Sequence, residues 1–584
     1  MPAFSKILVA NRGEIAVRVF RTLREHGIGT VAVYSEPDRG AVHVSYADEA
    51  YLIGPGPPAE SYLNGERIIE TALRAGAEAI HPGYGFLAEN AVFARACGEA
   101  GLTWIGPPPE AIELMGSKTA SREAMRAAGV PIIPGTTEPV GSAEEAAALG
   151  EEYGWPLAVK AAAGGGGKGL KVARSPDEVE RAFASARREG ESYFADPTVY
   201  VERYLEDPRH VEVQVLADAH GSVIHLGERD CTIQRRHQKL IEETPSPAVD
   251  EELRARIGGI AVDAARAVGY RSAGTIEGLL SQEGEYFFLE MNTRIQVEHT
   301  VTELVTGIDL VCEQVLIASG EPLSFGQEDV RFSGHAIECR INAEDVASGF
   351  LPGPGTITAY REPGGPGIRV DSGVVAGSEV SGLYDPLIAK LCVLGLDREQ
   401  ARRRMLRALE EYVIEGVPTL IGFHRALLSH PCFVDGETCH GMVESEEIAQ
   451  QAADLAPVSA PVPVSTELAA HTSLVELDGR RFQVNVLVPE PAHKALVRRR
   501  RERGGAEHHA AGRDAVVSPM QGTVLAVEVA EGDVVAAGEV ICIVEAMKME
   551  NEITAHRDGT VTELSVAAGG SVTTGQVICV IAQE

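Results

Sequence analysis

Residues 290–298 read Glu-Met-Asn-Thr-Arg-Ile-Gln-Val-Glu, polar and mostly apolar by turns. If the segment is extended, Glu290, Asn292, Arg294, Gln296 and Glu298 share one side. Five aligned polar groups of both charge signs make a poor solvent face and a good cleft wall. Hard oxygen donors from Glu290 and Asn292, joined by Glu277 on the preceding strand, suit Mg²⁺ bridging nucleotide phosphates. A second cluster spans Arg229 to Lys239. Four cations (Arg229, Arg235, Arg236, Lys239) and His237 stand there, a place to hold anionic substrates. A third segment is Gly164-Gly165-Gly166-Gly167-Lys168-Gly169. It is not a Walker A loop, because Ala163 and Gly169 occupy positions that need Gly and Ser/Thr. Its glycines let backbone N–H groups close over phosphates, and Lys168 adds charge. Lys118 and Lys160 lie upstream of it.

These groups need strands to hold them. The first ~120 residues alternate strand-like and helical runs: strands at 6–10, 30–34 and 79–80, helices at 15–24 and 67–75. This βαβ rhythm argues for a parallel sheet. From about 130 to 330 the texture becomes α+β. Strands at 157–163 and 170–173 flank the glycine loop, and others follow at 210–216, 222–226 and 285–291. Residues 331–447 form a further mixed unit ending in a helix at 398–411. An Ala/Pro-rich linker (452–465) and a hairpin over 474–488, with Asp478-Gly479 as its turn, come next. A second linker, 489–514, carries the run Arg498–Arg501, read as a solvated face.

The last 70 residues contain a repeat. Residues 522–544 align with 559–581 at an offset of 37 without gaps, and 11 of the 23 positions are identical. This predicts two pseudo-symmetric β-units packed face to face. Between them Ala546-Met547-Lys548-Met549 is placed as a hairpin tip that offers a sterically open amine.

Composition sets limits. The 584 residues, 44% apolar and 23% charged, are ordinary globular material for three to five domains. With 52 Lys+Arg against 85 Asp+Glu the net charge is −33, which disfavours nucleic acid and anionic membrane. No apolar run approaches the ~18–20 residues of a membrane span. The apolar stretch at 7–10 is too short for a signal-peptide core, so a cytoplasmic protein is expected. The nine Cys include no CxxC pair, and buried reduced thiols are expected, without a disulfide framework or structural zinc.

Taken together, NRGEIAVRV, HPGYGFLAEN, GGGGKG, RHVEVQV, RDCTIQRRHQK, EMNTRIQVEH and GHAIECRINAED resemble a biotin carboxylase over residues 1–447, in the family's order. The AMKM tip within its repeat resembles a biotinyl-carrier domain, whereas lipoyl domains usually carry DKA there. The whole chain is similar to the alpha subunit of an actinobacterial-type acyl-CoA carboxylase. The resemblance implies an α/β and α+β multidomain fold with five segments. They are a Rossmann-like N-terminal domain (1–117), an ATP-grasp domain (118–330), a mixed C-terminal carboxylase domain (331–447), a linker with a short β-hairpin (448–514), and an all-β flattened-barrel biotinyl domain (515–584).

Site roles follow from the same resemblance. ATP phosphorylates bicarbonate to carboxyphosphate, and biotin takes the released carbon dioxide. Glu298 matches the base that deprotonates bicarbonate, and Arg340 the residue that stabilises negative charge on biotin. Lys239 and Arg294, with Gln296 and Val297, match the bicarbonate clamp, and Tyr84 a biotin-pocket residue. Glu277, Glu290 and Asn292 match the site of Mg²⁺ or Mn²⁺. Lys118, Lys160, Gly165, Gly166, Gly167, Lys168, Glu202, Leu205, His210, Gln234 and His237 match nucleotide contacts, with Glu202–Leu205 as the adenine hinge. Lys548 matches the lysine that a biotin protein ligase modifies.

Departures are few: Ala163 and Leu170 stand where Gly and Met are common, and Thr300 where Pro is frequent. No segment remains for a carboxyltransferase. A separate beta subunit is therefore expected to pass the carboxyl to acetyl- or propionyl-CoA, as in fatty acid biosynthesis. The hairpin is expected to dock that partner, and the carboxylase core to be homodimeric. A 26-residue coil over 489–514, about 28 Å r.m.s. and at most about 90 Å long, would let the carrier swing. Alternatives are the same subunit serving a urea, pyruvate or methylcrotonyl-CoA system, or a carrier with a dead ATP site. Glu298, Arg340, Lys239 and the metal trio together argue against the last.

Overall fold

The apolar run Ile7–Val9 lies in β1 (Lys6–Val9), the centre of a five-stranded parallel sheet. Its neighbours are β2 (Gly29–Ser35), β3 (Glu49–Gly54), β4 (Ala79–His81) and β5 (Thr103–Trp104), in the order β3-β2-β1-β4-β5. Helix α1 (Gly13–Glu25) turns Ile15, Ala16, Val19, Phe20 and Leu23 into the core beside Ile7 and Val9. The expected βαβ rhythm is thus a parallel sheet, and open sheets of this kind bind ligands beyond the carboxyl ends of their strands. There Asn11, just past β1, donates its amide to the carbonyls of Pro82 and Tyr84, each at 2.7 Å. Gly83 has φ +63, and a Cβ on it would meet Asn11 Nδ2 at 3.0 Å, so this turn needs glycine.

The computed structural model describes residues 4–136, 138–161, 170–194, 198–455, 468–477, 480–489, 514–546 and 549–582. The chain divides into two units, Met1–Ala456 and Pro457–Glu584, which are described separately. Among the described residues no helix is long and apolar enough to cross a membrane.

Beyond the parallel sheet the first unit has two further layers. Strands β6 (Leu157–Ala161), β7 (Leu170–Ala173) and β8 (Val199–Arg203) form an antiparallel sheet in the order β7-β6-β8. Helices Ala143–Tyr153 and Pro176–Phe194 belong to the same small layer. The largest sheet comprises β9 (Arg209–Ala217), β10 (Val223–Arg235), β11 (Gln238–Thr244), β12 (Ser272–Leu280), β13 (Tyr286–Asn292), β14 (His335–Asn342) and the strands Ile368–Ser372 and Leu387–Gly395. Its order is β13-β12-β9-β10-β11-β14 followed by 387–395 and 368–372. The β11–β14 pairing carries this sheet across residue 330 without a break. Strand β10 runs to Arg235, nine residues past the stretch expected at 222–226, because the basic motif is itself strand.

Two sequence expectations change here. The 290–298 segment is not extended throughout: β13 ends at Asn292 and the chain turns. Glu89 accepts from the Thr293 backbone N–H at 2.9 Å and from Arg294 Nε at 3.0 Å, and Glu298 precedes the helix His299–Thr306. Nor are all nine thiols free, since Cys432 and Cys439 form a disulfide.

In the second unit, strands Leu468–Leu477 and Arg480–Pro489 pair with Leu477 opposite Arg480. The hairpin is longer than 474–488, and its turn, Asp478-Gly479, lies outside the described residues, as does most of the linker at 489–514. The repeat becomes two four-stranded sheets, one of strands 515–517, 577–582, 559–562 and 534–535, the other of 549–554, 540–546, 522–527 and 571–572. Each two-residue strand pairs with the other half's first strand, 534–535 with 559–562 and 571–572 with 522–527, and the closing hydrogen bonds obey the offset of 37. Gly532 N–H donates to Val561 O at 2.8 Å and Gly569 N–H to Val524 O at 2.7 Å. Gly532 and Gly569 have φ +100 and +82, the left-handed backbone that explains their identity in the two halves. Ile541, Cys542, Ile578 and Cys579 fill the shared core.

Candidate active site

Four strands of the large sheet bring six ionised or polar side chains to one point. On β9, His210, Glu212 and Gln214 alternate with Val211, Val213 and Val215, so the polar set takes one face and the valines fill a core. Lys239 stands on β11, Glu277 on β12 and Arg340 on β14. Glu298 arrives from the start of its helix.

Lys239 is the hub. Its ammonium donates to Glu277 at 2.8 Å, to Glu298 at 2.6 Å, and to Glu212. Glu298 gives its second oxygen to Arg340 Nη2 at 2.9 Å, while Arg340 Nε donates to Glu242 at 2.6 Å. Burial alone would raise the Glu298 carboxyl. The cations Lys239, Arg340 and Arg229 outweigh it and hold the group well below the usual carboxylate range. Lys239 is raised by the converse balance. Glu277 is likewise lowered, chiefly by Lys239 and His210 against burial. Glu242 goes the other way: burial, with the charges of Glu338 and Glu298, outweighs Arg340 and pushes it to about 8.

Arg229, expected to hold substrate anions, does something else. It is fully buried and spends its donors on Glu212 (2.5 Å), Gln214 (2.7 Å), Thr302 (3.0 Å), Thr275 (3.1 Å) and Gln296 (2.7 Å). A guanidinium with all its hydrogens placed has none left for a ligand. Arg235 turns away to the Gly349 carbonyl and the Phe350 ring. The basic run therefore does not converge on one ligand site: Arg229 braces Glu212 from behind, and Lys239 stands at the hub itself.

The remaining expected residues fall in three groups. At the hub, Asn292 and Gln296 donate to the same Glu277 oxygen at 2.7 and 2.6 Å, and Arg294 Nη2 donates to Asn292 at 2.8 Å. The Val297 carbonyl accepts from Lys390, whose Nζ sits 5.8 Å from the centre of the Tyr84 ring. At the expected hinge, Lys160 on β6 pairs with Glu202 on β8. Leu205 packs with Ile133 and Phe287, and His210 Nε2 lies 3.0 Å from Glu277. Farther out, Gln234 donates to the Cys231 carbonyl at 2.7 Å, and His237 is exposed in the β10–β11 turn. The side chain of Lys118, and Gly165, Gly166, Gly167, Lys168 and Lys548, lie outside the described residues.

The donor set fits a divalent cation. Glu277 and Glu290 are directly paired across β12 and β13, and Thr275 faces Asn292 two residues on, so their side chains share one face. Two carboxylates and an amide are hard oxygen donors of the type Mg²⁺ or Mn²⁺ takes. For the carrier, Ala546 pairs with Met549 at the ends of strands 540–546 and 549–554.

Sequence reasoning missed Glu212, Glu242, Glu89 and Lys390. Glu212 was legible, since His210, Glu212 and Gln214 interrupt an otherwise apolar strand at every second position. Lys390, a lone cation in the apolar run Leu387–Gly395, gave a similar sign.

Comparison with known proteins agrees with this architecture. Family models match in sequence order: the N-terminal domain of biotin carboxylase over 3–112, the ATP-binding domain of the carbamoyl-phosphate synthase L chain over 117–325, the C-terminal domain of biotin carboxylase over 338–445, and the biotin-requiring enzyme model over 514–581. The chain is 47% identical to the biotin-dependent acyl-coenzyme A carboxylase alpha3 subunit of Mycobacterium leprae over 571 residues, 95% of this chain and 94% of that protein. It is 56% identical to a pyruvate carboxylase subunit of Methanothermobacter thermautotrophicus over 434 residues, 74% of this chain and 88% of that one. Among solved structures, the biotin carboxylase domain dimer of Hydrogenobacter thermophilus 2-oxoglutarate carboxylase, in complex with MgADP, ADP and bicarbonate, matches with a TM-score of 0.68 and 51% identity, covering 76% of this chain and 99% of that one.

Proposed function

Since the chain belongs to the biotin carboxylase family and carries out its ATP-dependent carboxylation of biotin, we propose that it is the alpha subunit of an acyl-CoA carboxylase, loading biotin on Lys548 and handing the carboxyl to a separate carboxyltransferase beta subunit. The observation that supports this partner is the extent of the M. leprae similarity, which runs through the carrier region to 95% of the chain. A second reading, a pyruvate-carboxylating partner, draws on the 56% identity to the M. thermautotrophicus protein. A biotin protein ligase acts on Lys548, the carboxylase core pairs with a second copy, and the complex works in the cytoplasm.

The site chemistry follows from the hub. With no substrate, Glu298 is neutralised on both oxygens by Lys239 and Arg340. Bicarbonate entering between Lys239 and Arg294 competes for those cations. Each cation it draws away returns basicity to Glu298, so the base is switched on by its own substrate. Glu298 takes the bicarbonate O–H proton. The freed oxygen attacks the terminal phosphorus of ATP, ADP leaves, and the resulting carboxyphosphate divides into carbon dioxide and phosphate. Glu277, Glu290 and Asn292 would hold a divalent ion, which would supply positive charge against the phosphates. Lys548 would carry biotin, whose ring nitrogen would give its proton to the released phosphate and take up the carbon dioxide. Arg340, released as Glu298 becomes protonated, turns its guanidinium to the negative charge of that step.

The test is ADP release by the Lys548→Ala chain with Mg²⁺, ATP and bicarbonate, with and without free biotin. Biotin-stimulated release is expected, and none would overturn the reading. The biotinylated chain with a carboxyltransferase subunit should then move label from bicarbonate to acyl-CoA. Transfer to pyruvate instead would select the second reading.

A further inference from the structure

The disulfide between Cys432 and Cys439 closes an eight-residue loop that reaches out of its own segment. Thr438 Oγ1 donates to Asp207 Oδ2 at 2.6 Å, and His440 Nδ1 lies 3.5 Å from Asp207 Oδ1. Arg209 donates to the Gly436 carbonyl while its other nitrogen reaches Asp230 at 3.1 Å. From the far side, Arg398 donates to the Val434 carbonyl at 3.0 Å and stacks over Phe433. Asp207 lies in the connection from β8 to β9, and Arg209 is the first residue of β9, both between Leu205 and His210. Glu437 and Thr438 share a cavity of about 440 Å³ with Asp207, Arg209, Leu280 and Ser281.

Both sides of this contact are strained. Asp207 has φ +44 and Cys439 φ +52, the left-handed region for residues that have a side chain. Such conformations persist only where their surroundings hold them. On the loop side the covalent bridge does this, and through Thr438 it holds Asp207 too. The sulfurs are buried, but Val434, Asp435, Glu437 and His440 around them are exposed, so the bridge lies one residue below the surface. Bridges in reducing compartments are usually transient and redox-sensing.

We infer that Cys432 and Cys439 are a reversible thiol–disulfide modification site that sets nucleotide affinity through the β8–β9 connection, its co-substrate a dithiol reductant. One thiolate of the dithiol attacks a bridge sulfur, breaking the S–S bond and forming a mixed disulfide. The second dithiol sulfur displaces the remaining cysteine and closes the reductant's own disulfide. Two electrons and two protons pass to Cys432 and Cys439. Reduction lets Cys439 leave its left-handed conformation and loosens Thr438 from Asp207. The inference rests on reading Glu202–Leu205 as the nucleotide hinge.

The experiment uses the full biotinylated chain, air-oxidised, dithiothreitol-treated, or carrying Cys432→Ser or Cys439→Ser. Thiols titrated after denaturation should number seven when oxidised and nine when reduced. Loss of one or two hydrogen bonds should raise the KM for ATP roughly 2–10-fold on reduction, with the KM for free biotin unchanged. Either serine variant should show the reduced value and ignore dithiothreitol. Nine thiols in the oxidised protein would overturn the site. Seven thiols with the same ATP KM in both states would overturn the coupling and leave a purely structural bridge. Leu205→Ala separates the premise: an unchanged ATP KM in that variant rejects the hinge reading, whatever the redox result.

Discussion

The ammonium of Lys239 lies 2.6 Å from Glu298, inside a pocket where both side chains are nine-tenths or more removed from solvent. Two opposite charges so placed cost desolvation energy that only their mutual attraction and further hydrogen bonds offset. Glu212, Glu277 and Arg340 supply those bonds. A pair held this tightly without substrate is a latent acid–base device, and its consequences can be measured.

Glu298→Gln keeps the shape and removes the base. Bicarbonate-dependent ATP cleavage should fall about 10²–10⁴-fold, the usual contribution of a positioned base. ATP binding, measured by calorimetry, should stay within a factor of two or three, because no expected nucleotide contact is lost. Turnover near that of the unaltered chain would refute the assignment.

Glu242 gives a pH signature. Its carboxyl is about 8 in the folded chain against about 4.3 unfolded, so the native state keeps a proton that the unfolded state has released. Its stabilising contribution is complete below about pH 4 and declines as pH rises towards 8. Glu242→Gln mimics the protonated form. The melting temperatures of the two chains should agree near pH 5 and separate by pH 9, the glutamine variant being higher. Equal temperatures at pH 9 would contradict the shift. Glu298 and Glu277, both lowered, lose their stabilising charge only below the ordinary carboxylate range and do not confuse this window.

Arg229→Met tests the buried guanidinium. Removing one partner of a buried ion pair typically costs about 3–5 kcal/mol, because the other charge is stranded. Here Glu212 loses one of its two cations, keeping Lys239, and Gln296 loses its donor. Urea unfolding should show a loss of that size. Arg229→Lys should recover only part of it, since an ammonium cannot reach five acceptors.

Shortening 489–514 to a few residues, with Lys548 still biotinylated, should abolish acyl-CoA carboxylation with the partner present. ADP release driven by free biotin should be unchanged, because the hub lies wholly within the first unit. Undiminished carboxylation would refute the swinging carrier.

Much of this molecule was legible in its sequence, for reasons local to the chain. The alternation of His210, Glu212 and Gln214 with valines stood in the sequence, although only His210 was picked out from it. The offset of 37 foretold the pseudo-symmetric carrier, and the matching hydrogen bonds of Gly532 and Gly569 follow the same offset. The motif order announced the carboxylase core. Other features were decided between segments far apart. Alternation predicts an extended 290–298, yet Glu89, some two hundred residues earlier, captures Thr293 and Arg294 and bends the chain. Residue types made Arg229 a candidate substrate ligand. Only the register of β9 against β10, with Gln296 and Thr302 above them, turned it inward and used up its donors. The bridge of Cys432 to Cys439 and its reach to Asp207 likewise needed the assembled sheet. Periodicity and turn chemistry are written in neighbouring residues. Which buried charge meets which partner is set by the register of strands distant in sequence, and only the tertiary structure holds that information.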